Sequence, residues 1–390
     1  MTWSAPEGQA PGPSAGPAGA LTRGRSQVLR TWLRVSLTVI GFGVCAAVLV
    51  AAIGHEAGVT ATLVGLVLAV LPLGVVVPAF LWLDRFEPEP PRLLLLTFLW
   101  GALVASTVAL VVNTSTMMLL SRAGADAMTI GAIAVAPVVE EVLKASALVV
   151  ILLLRRREVD SVVDGIVYAG IAAAGFAFAE NILYLARAFH DYGGDGLVFT
   201  FLLRGVMGPF AHPLFTCCTG LAVGIAVTTH RKVLRVLVPA AGLIIAIALH
   251  SFWNLTAAAG ASGYVLLYAV LQVPVFLAFV TAAILIRRHE GRVIGRHLVP
   301  YADRGWLSPG EVTMLASMRE RRRARTWARL GGGRTALTAM EAFQDTASEL
   351  ALLRRRINRG KVDASMLATE RLLLDRLMAG RTAFLGHTPY

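Results

Sequence analysis

Charge is what this chain has least of: Asp, Glu, Lys and Arg together make up 15% of its 390 residues, while 56% are hydrophobic. That balance excludes a single soluble domain, because one water-facing fold cannot hide so much apolar surface, and it points to lipid as a second solvent. Cysteine is scarce too. Cys45, Cys217 and Cys218 all fall in apolar runs, so no disulfide framework is implied. A cysteine nucleophile paired with His212 is disfavoured, since offsets of five and six residues put Cys217 and Cys218 on other faces of a helix. The basic residues come with no nucleic-acid recognition motif, so no nucleic acid is expected as a partner.

The charge that is present is unevenly placed. Of a net +12, most lies from Arg287 onward, where 20 basic residues stand against 10 acidic ones. Residues 1–30 are rich in Pro, Gly and Ala and read as a disordered tail. Arg23, Arg25, Arg30 and Arg34 then precede a full-length apolar run, which suits a retained first helix better than a cleaved signal. A span needs roughly 20 apolar residues, and about eight stretches qualify: 33–53, 60–83, 93–119, 127–154, 162–186, 197–229, 233–257 and 263–286. With the first basic cluster inside, Arg85 and Arg92, Arg155 to Arg157, Arg231 to Arg235, and Arg287 with Arg288 all fall on that same side. The expected architecture is therefore all-α. It is a polytopic helix bundle over residues 31–288, multi-pass in the cell membrane with both termini cytoplasmic. Residues 289–390 follow as a small, basic, helical cytosolic region. That region carries a hinge at Gly331, Gly332 and Gly333, and its runs Arg319–Arg325 and Arg354–Arg359 suit anionic lipid headgroups or a cytosolic partner.

Ionisable residues inside the apolar runs carry the functional information, because each costs several kcal/mol in lipid unless paired or used. Span four holds Glu140, Glu141 and Lys144. Span five opens on Asp164-Gly165 and closes on Glu180-Asn181. Span six carries Arg204 and His212, and span seven carries His250 and Asn254. An ordinary ion pair between Glu140 and Lys144 accounts for two of these charges but leaves Glu141, about 100° round the helix, in need of another partner. His212 or His250 alone is more often a packed, hydrogen-bonded side chain than a ligand. Jointly they say more. At 1.5 Å rise per residue, Glu140 and His250 lie about 22 Å and His212 about 27 Å from the basic face. Two imidazoles and two or three carboxylates at one level can bind a divalent metal and activate water, or run acid–base chemistry without metal.

The pattern Glu140-Glu141-x-x-Lys144, Asp164-Gly165-x-x-Tyr168, Gly175-Phe176-Ala177-x-x-Glu180-Asn181, His212 and His250-x-x-x-Asn254 resembles the PrsW family of bacterial intramembrane proteases. That family lies within the wider group that includes the CAAX-processing prenyl endopeptidases. Asp84-Arg85-Phe86-Glu87-Pro88-Glu89-Pro90 is similar to the family's loop ahead of span three, and the resemblance covers about residues 80–290. It implies hydrolysis of a peptide bond in a membrane-anchored protein, in the best-described cases the first cut of an anti-sigma factor. It also implies site residues: Glu140 or Glu141 as general base, Glu180 where the prenyl endopeptidases have a histidine, His212 and His250 as the later histidines, and Asn254 as an oxyanion donor. Lys144 stands where the wider group has arginine, which weighs against prenylated substrates. The family is commonly classed with metalloproteases. With zinc as cofactor, Glu180, His212 and His250 form the expected three-ligand site with an open position. A transporter or channel using the same groups as an ion path, or a non-catalytic scaffold, are the competing readings. Against transport, no repeat relates the two halves.

Overall fold

A computed structural model of the protein describes residues 17–258, 260–358 and 364–386. Every regular element among them is helical. In chain order the elements are α1 (Pro17–Ala57), α2 (Val59–Leu83), α3 (Pro91–Leu99), α4 (Ser106–Arg122), α5 (Ala127–Ile130), α6 (Ala136–Leu154) and α7 (Val162–Phe201). They continue with α8 (Ala211–Thr228), α9 (Leu234–Ala258), α10 (Gly260–Leu267), α11 (Val273–Ala302), α12 (Pro309–Leu315), α13 (Met318–Asn358) and α14 (Ala364–Leu385). Helix α1 begins at Pro17, inside the stretch expected to be an unstructured tail, and residues 1–16 of that stretch lie outside the described residues.

Among the described residues, six helical stretches are long and apolar enough to cross a bilayer: Val35–Ala57, Val59–Leu83, Pro91–Arg122, Val162–Thr228, Leu234–Ala257 and Gly263–Ala302. Two features relate this count to the eight expected. Val162–Thr228 holds two expected crossings, folded back through Gly193, whose φ of 64° breaks α7, and through a π-helical turn at Leu202–Met207. The run expected at 127–154 contains Glu140, Glu141 and Lys144, and three charges remove its helix α6 from a purely apolar count.

The antiparallel pair α7–α8 is the centre of the bundle. Its most apolar window is 83% buried by protein, against 11% for α1 and 6% for α11, whose remaining surfaces are apolar and suit lipid. Close helix crossing makes this possible: a Cβ on Gly165 would lie 2.2 Å from the Gly220 carbonyl oxygen, and one on Gly220 would lie 2.2 Å from the Gly165 carbonyl. Helix α7 starts with a capping box, Ser161 Oγ accepting the Asp164 N–H at 3.2 Å while Asp164 Oδ2 accepts the Ser161 N–H at 2.8 Å. The Asp164-Gly165 pair of the sequence pattern is thus a helix cap followed by a crossing point.

The basic region folds as a helical module. Ile294, Leu298, Leu315, Phe343, Leu350 and Leu377 belong to one buried cluster that joins α11, α12, α13 and α14. Helix α11 runs without a break across the boundary expected at residue 288, because its second half supplies that core. The expected glycine hinge is present: α13 leaves helical geometry at Gly332 and Gly333, the latter with φ 65°. The loop between α2 and α3 docks the module onto the bundle. Phe86 enters the module's core, while Asp84 Oδ2 accepts the Glu89 N–H at 2.7 Å and Glu89 Oε2 accepts the Tyr168 hydroxyl of α7 at 2.5 Å. Desolvation pushes the Asp84 carboxyl up to about 8 and that of Glu89 up to about 10.

Candidate active site

Helix α6 is entered through a π-helical turn at Gly131–Val135 with Pro137 in its first turn, a local irregularity of the kind that often marks a working site. Glu140 and Glu141 follow, pointing in directions about 100° apart. Glu141 is fully buried and fully engaged. Its Oε1 accepts from Lys144 Nζ at 2.7 Å and lies 3.0 Å from His250 Nδ1, and its Oε2 accepts the Thr216 hydroxyl at 2.7 Å. Glu140 is different. Its Oε1 accepts a long bond of 3.3 Å from Asn113 Nδ2, and its buried Oε2 has no hydrogen-bond donor. That oxygen lies 3.6 Å from Lys144 Nζ and 3.8 Å from His250 Nε2.

The two histidines are held in opposite senses. Hydrogen at Nδ1 of His250 goes to Glu141, which leaves the Nε2 lone pair facing Glu140. His212 Nδ1 lies 2.9 Å from Lys144 Nζ, and an ammonium only donates, so Nδ1 accepts and the ring hydrogen sits on Nε2, 2.7 Å from Glu180 Oε2. Glu180 also accepts from Arg204 Nη2 at 2.6 Å. The same guanidinium donates to Asn181 Oδ1 at 2.9 Å and lies over the Tyr184 ring at 4.0 Å. The imidazole rings meet edge to face with centroids 5.0 Å apart, and Phe215 stacks on His250 at 5.2 Å.

Glu140 and Glu180 share a cavity of about 350 Å³ with Asn113, Met128, Tyr184 and Arg187, closed on the α1 side by Leu49 and Ile53. A wider cleft of about 620 Å³ shares Thr114, Met117, Met128 and Arg187 with it, so continuous space runs from the two glutamates to the ion pair between Glu56, at the end of α1, and Arg187 of α7. On the other side of Phe215 and Trp253 lies an apolar cavity of about 530 Å³. The buried cluster thus has a cavity reaching Arg187 on one flank and an apolar cavity on the other.

Three carboxylates (Glu140, Glu141, Glu180) against two fixed cations (Lys144, Arg204) leave one negative charge, and it falls on the oxygen without a donor. A proton or a metal ion would neutralise it. Among the described residues Glu140, His212 and His250 form the group that could hold a metal, their ligand atoms all within 4.8 Å. The orphaned Oε2 and the His250 Nε2 lone pair fit that role, with Glu141 as the outer carboxylate that orients the imidazole. His212 fits once Nε2 gives up its hydrogen to ligate the ion and Nδ1 takes a proton from Lys144 Nζ, since a neutral imidazole keeps one ring hydrogen.

The structure therefore gathers Glu140, Glu141, Glu180, His212 and His250. It places Glu140, not Glu180, in the metal-competent group, because Glu180 is drawn to Arg204. Asn254 sits apart: its Nδ2 donates to the Ala132 carbonyl at 2.8 Å, tying α9 to the π turn ahead of the glutamates. Sequence reading gave no role to Asn113, Thr216 or Arg204. Arg204 was visible as a charge in an apolar run, whereas Asn113 and Thr216 are single polar residues with no spacing to mark them.

Residues 89–279 match the family model described as PrsW family intramembrane metalloprotease. No curated protein and no solved structure matches the chain.

Proposed function

Through residues 89–279 this chain belongs to the PrsW family of intramembrane metalloproteases, and on that premise we propose that it cuts a membrane-anchored protein with Glu140 as the general base. The observation that carries this reading is the buried Glu140 Oε2, without a donor among the described residues, in a residue that lines a cavity with Glu180, Asn113 and Arg187. Water in that cavity gives its proton to Oε2 and attacks a carbonyl of an unwound substrate segment, and Glu140 returns that proton to the departing amine as the C–N bond breaks. Glu141, saturated by Lys144, Thr216 and His250, positions α6 against α8 and α9 and does not itself take the proton. Arg204 holds Glu180, and Glu180 holds the one ring hydrogen of His212 at Nε2, so His212 is fixed in orientation and donates to the charge that develops on the attacked oxygen only after leaving Glu180. The Asn254 amide assists only after releasing Ala132.

A divalent ion, zinc being the expected one, would be held by Glu140, His212 and His250; Glu140 would then serve as its ligand in place of general base, and the ion would polarise the carbonyl and acidify a bound water. Substrate is a single-pass protein anchored in the same membrane, with an anti-sigma factor as the class the family suggests. The route from Arg187 supports a cut towards the face opposite the basic clusters. Residues 31–288 form the protease bundle and 289–390 the basic module, in the cell membrane with both termini cytoplasmic.

The test is expression of the wild type beside Glu140→Gln, Glu141→Gln and His212→Ala in cells lacking the native gene, followed by comparison of membrane proteomes. Single-pass proteins that lose their outer portions only with the wild type support the reading. Identical profiles at equal levels of folded protein would remove it.

A further inference from the structure

Arg287 of α11, Arg85 of the α2–α3 loop and Arg322 of α13 lie where the bundle joins the basic module: Phe86, next to Arg85, packs among Ile294 and Leu298 of α11, and Arg321, next to Arg322, lies over its ring at 5.0 Å. Arg287 of α11 lies with its guanidinium carbon 3.9 Å from the centre of the Trp82 ring, at the end of α2. Only 8% of Arg287 is exposed, and its buried Nε and Nη2 have no acceptor. Arg85, in the loop after α2, and Arg322, on α13, are both exposed and act on Arg287 as like charges. Glu290, one turn further along α11, acts on it as an opposite charge but forms no ion pair with it. Among the described residues no carboxylate pairs with Arg85, Arg287 or Arg322, whereas Arg323, Arg325, Arg354, Arg356 and Arg381 of the same module all have one.

Depth narrows the kind of anion that such a cluster suits. The apolar run of α2 stops at Leu83 and that of α11 at Ile286, so Trp82, Arg85 and Arg287 mark the level at which hydrocarbon gives way to headgroups. Trp82 is 41% exposed, the habit of an aromatic residue at a membrane interface. An anion held at that level by the bilayer itself is the phosphate of a phospholipid, and an acidic headgroup adds no cation to oppose the arginines.

We infer that Trp82, Arg85, Arg287 and Arg322 form a binding site for the phosphate of an anionic phospholipid. Because Arg322 belongs to the module and the other three to the bundle or its loop, the bound lipid fastens one to the other. Each exposed arginine contributes electrostatic attraction of the size usual for a basic residue at an anionic surface, roughly fivefold in affinity. The geometry stands independently of the protease chemistry, which lies towards the other face.

The experiment uses the full chain purified in neutral detergent and titrated with phosphatidylglycerol, phosphatidylcholine or inorganic phosphate. Retained lipid is read by native mass spectrometry and the melting temperature by fluorescence. Phosphatidylglycerol is expected to be retained and to raise the melting temperature, with phosphatidylcholine doing neither. Arg85→Gln and Arg322→Gln, both at exposed positions, are expected to melt like the wild type in detergent alone and to lose about fivefold each in retained phosphatidylglycerol. Arg287→Gln is expected to lose more, and the two exposed variants keep the test decisive where that buried change impairs folding. Equal retention of both lipids, or unchanged retention in Arg85→Gln and Arg322→Gln, overturns the site. A shift with inorganic phosphate as large as with phosphatidylglycerol overturns its assignment to lipid.

Discussion

His250 Nδ1 lies 3.0 Å from Glu141 Oε1, and that contact separates the two adjacent glutamates into different jobs. It commits Glu141 to orienting the imidazole and leaves Nε2 facing Glu140. Two substitutions of the same kind should then fail differently. Glu140→Gln is expected to fold and melt like the wild type while losing about 10²–10⁴-fold in turnover, the usual worth of a general base. Glu141→Gln is expected to melt lower by about 3–5 kcal/mol, because it deprives a fully buried Lys144 of its closest counter-ion. Thermal melting in detergent beside a cleavage assay reads both. Equal stability of the two variants would contradict this division of labour.

The crossing of α7 and α8 makes a sharper structural prediction. Gly165→Val places carbon within 2.2 Å of the Gly220 carbonyl, backbone that cannot swing aside, so roughly 3 kcal/mol or more of strain is expected. Gly43→Val on α1 meets nothing within 4 Å and serves as the control. Membrane levels of the two variants by immunoblot check this: the first is expected to be depleted and the second to match the wild type. Normal accumulation of Gly165→Val would mean that the helices are not packed this closely.

Most of this architecture is legible in the sequence for a simple reason: apolar run length and the sidedness of arginines follow directly from bilayer thickness and charge placement. The buried Glu and His residues were legible because charge in an apolar run has few bland explanations. What the sequence left open was pairing. The sequence pattern puts Glu180 with His212 and His250 as the ligand set, and nothing in it shows that Arg204, 24 residues later, bonds to Glu180 at 2.6 Å. The continuity of α11 past Arg288 was likewise hidden, since basic residues mark the end of hydrocarbon but not the end of a helix. Gly193 and the π turn at Leu202–Met207 set where the chain reverses, and both are backbone features with no sequence period.

That pairing is testable through metal content. Protein incubated with zinc, freed of excess by gel filtration and assayed by plasma mass spectrometry, is expected to hold the ion in the wild type and to lose it in Glu140→Ala and His250→Ala. Glu180→Ala should keep it. Glu141→Gln, which alters the carboxylate behind His250, should weaken binding by the folded protein about 10- to 100-fold. Retention in Glu140→Ala with loss in Glu180→Ala would restore the ligand set expected from sequence.

The loop that docks the module carries the remaining prediction, and its sign follows from burial. Desolvation raises the Asp84 carboxyl to about 8 and Glu89 to about 10 in the folded protein, and Glu87 is raised as well, whereas all three return to ordinary carboxylate values when the loop is exposed. Groups raised on folding favour the folded state fully below about pH 4, and that advantage drains away as pH climbs through their folded values. Stability of the docked loop should therefore decline from about pH 4 to about pH 8 on account of Asp84, and further towards pH 10 on account of Glu89. Melting temperature measured across pH 5–9 is expected to fall in the wild type and to fall less steeply in Asp84→Asn, which cannot ionise. Phe86→Ala, by emptying a position 3% exposed in the module's core, should cost about 3–5 kcal/mol of that docking at every pH without altering the slope. A slope unchanged by Asp84→Asn would show that the loop's carboxyls ionise freely in the folded protein, and with that the buried contact between Asp84, Glu89 and Tyr168 would have to be abandoned as what holds the module in place.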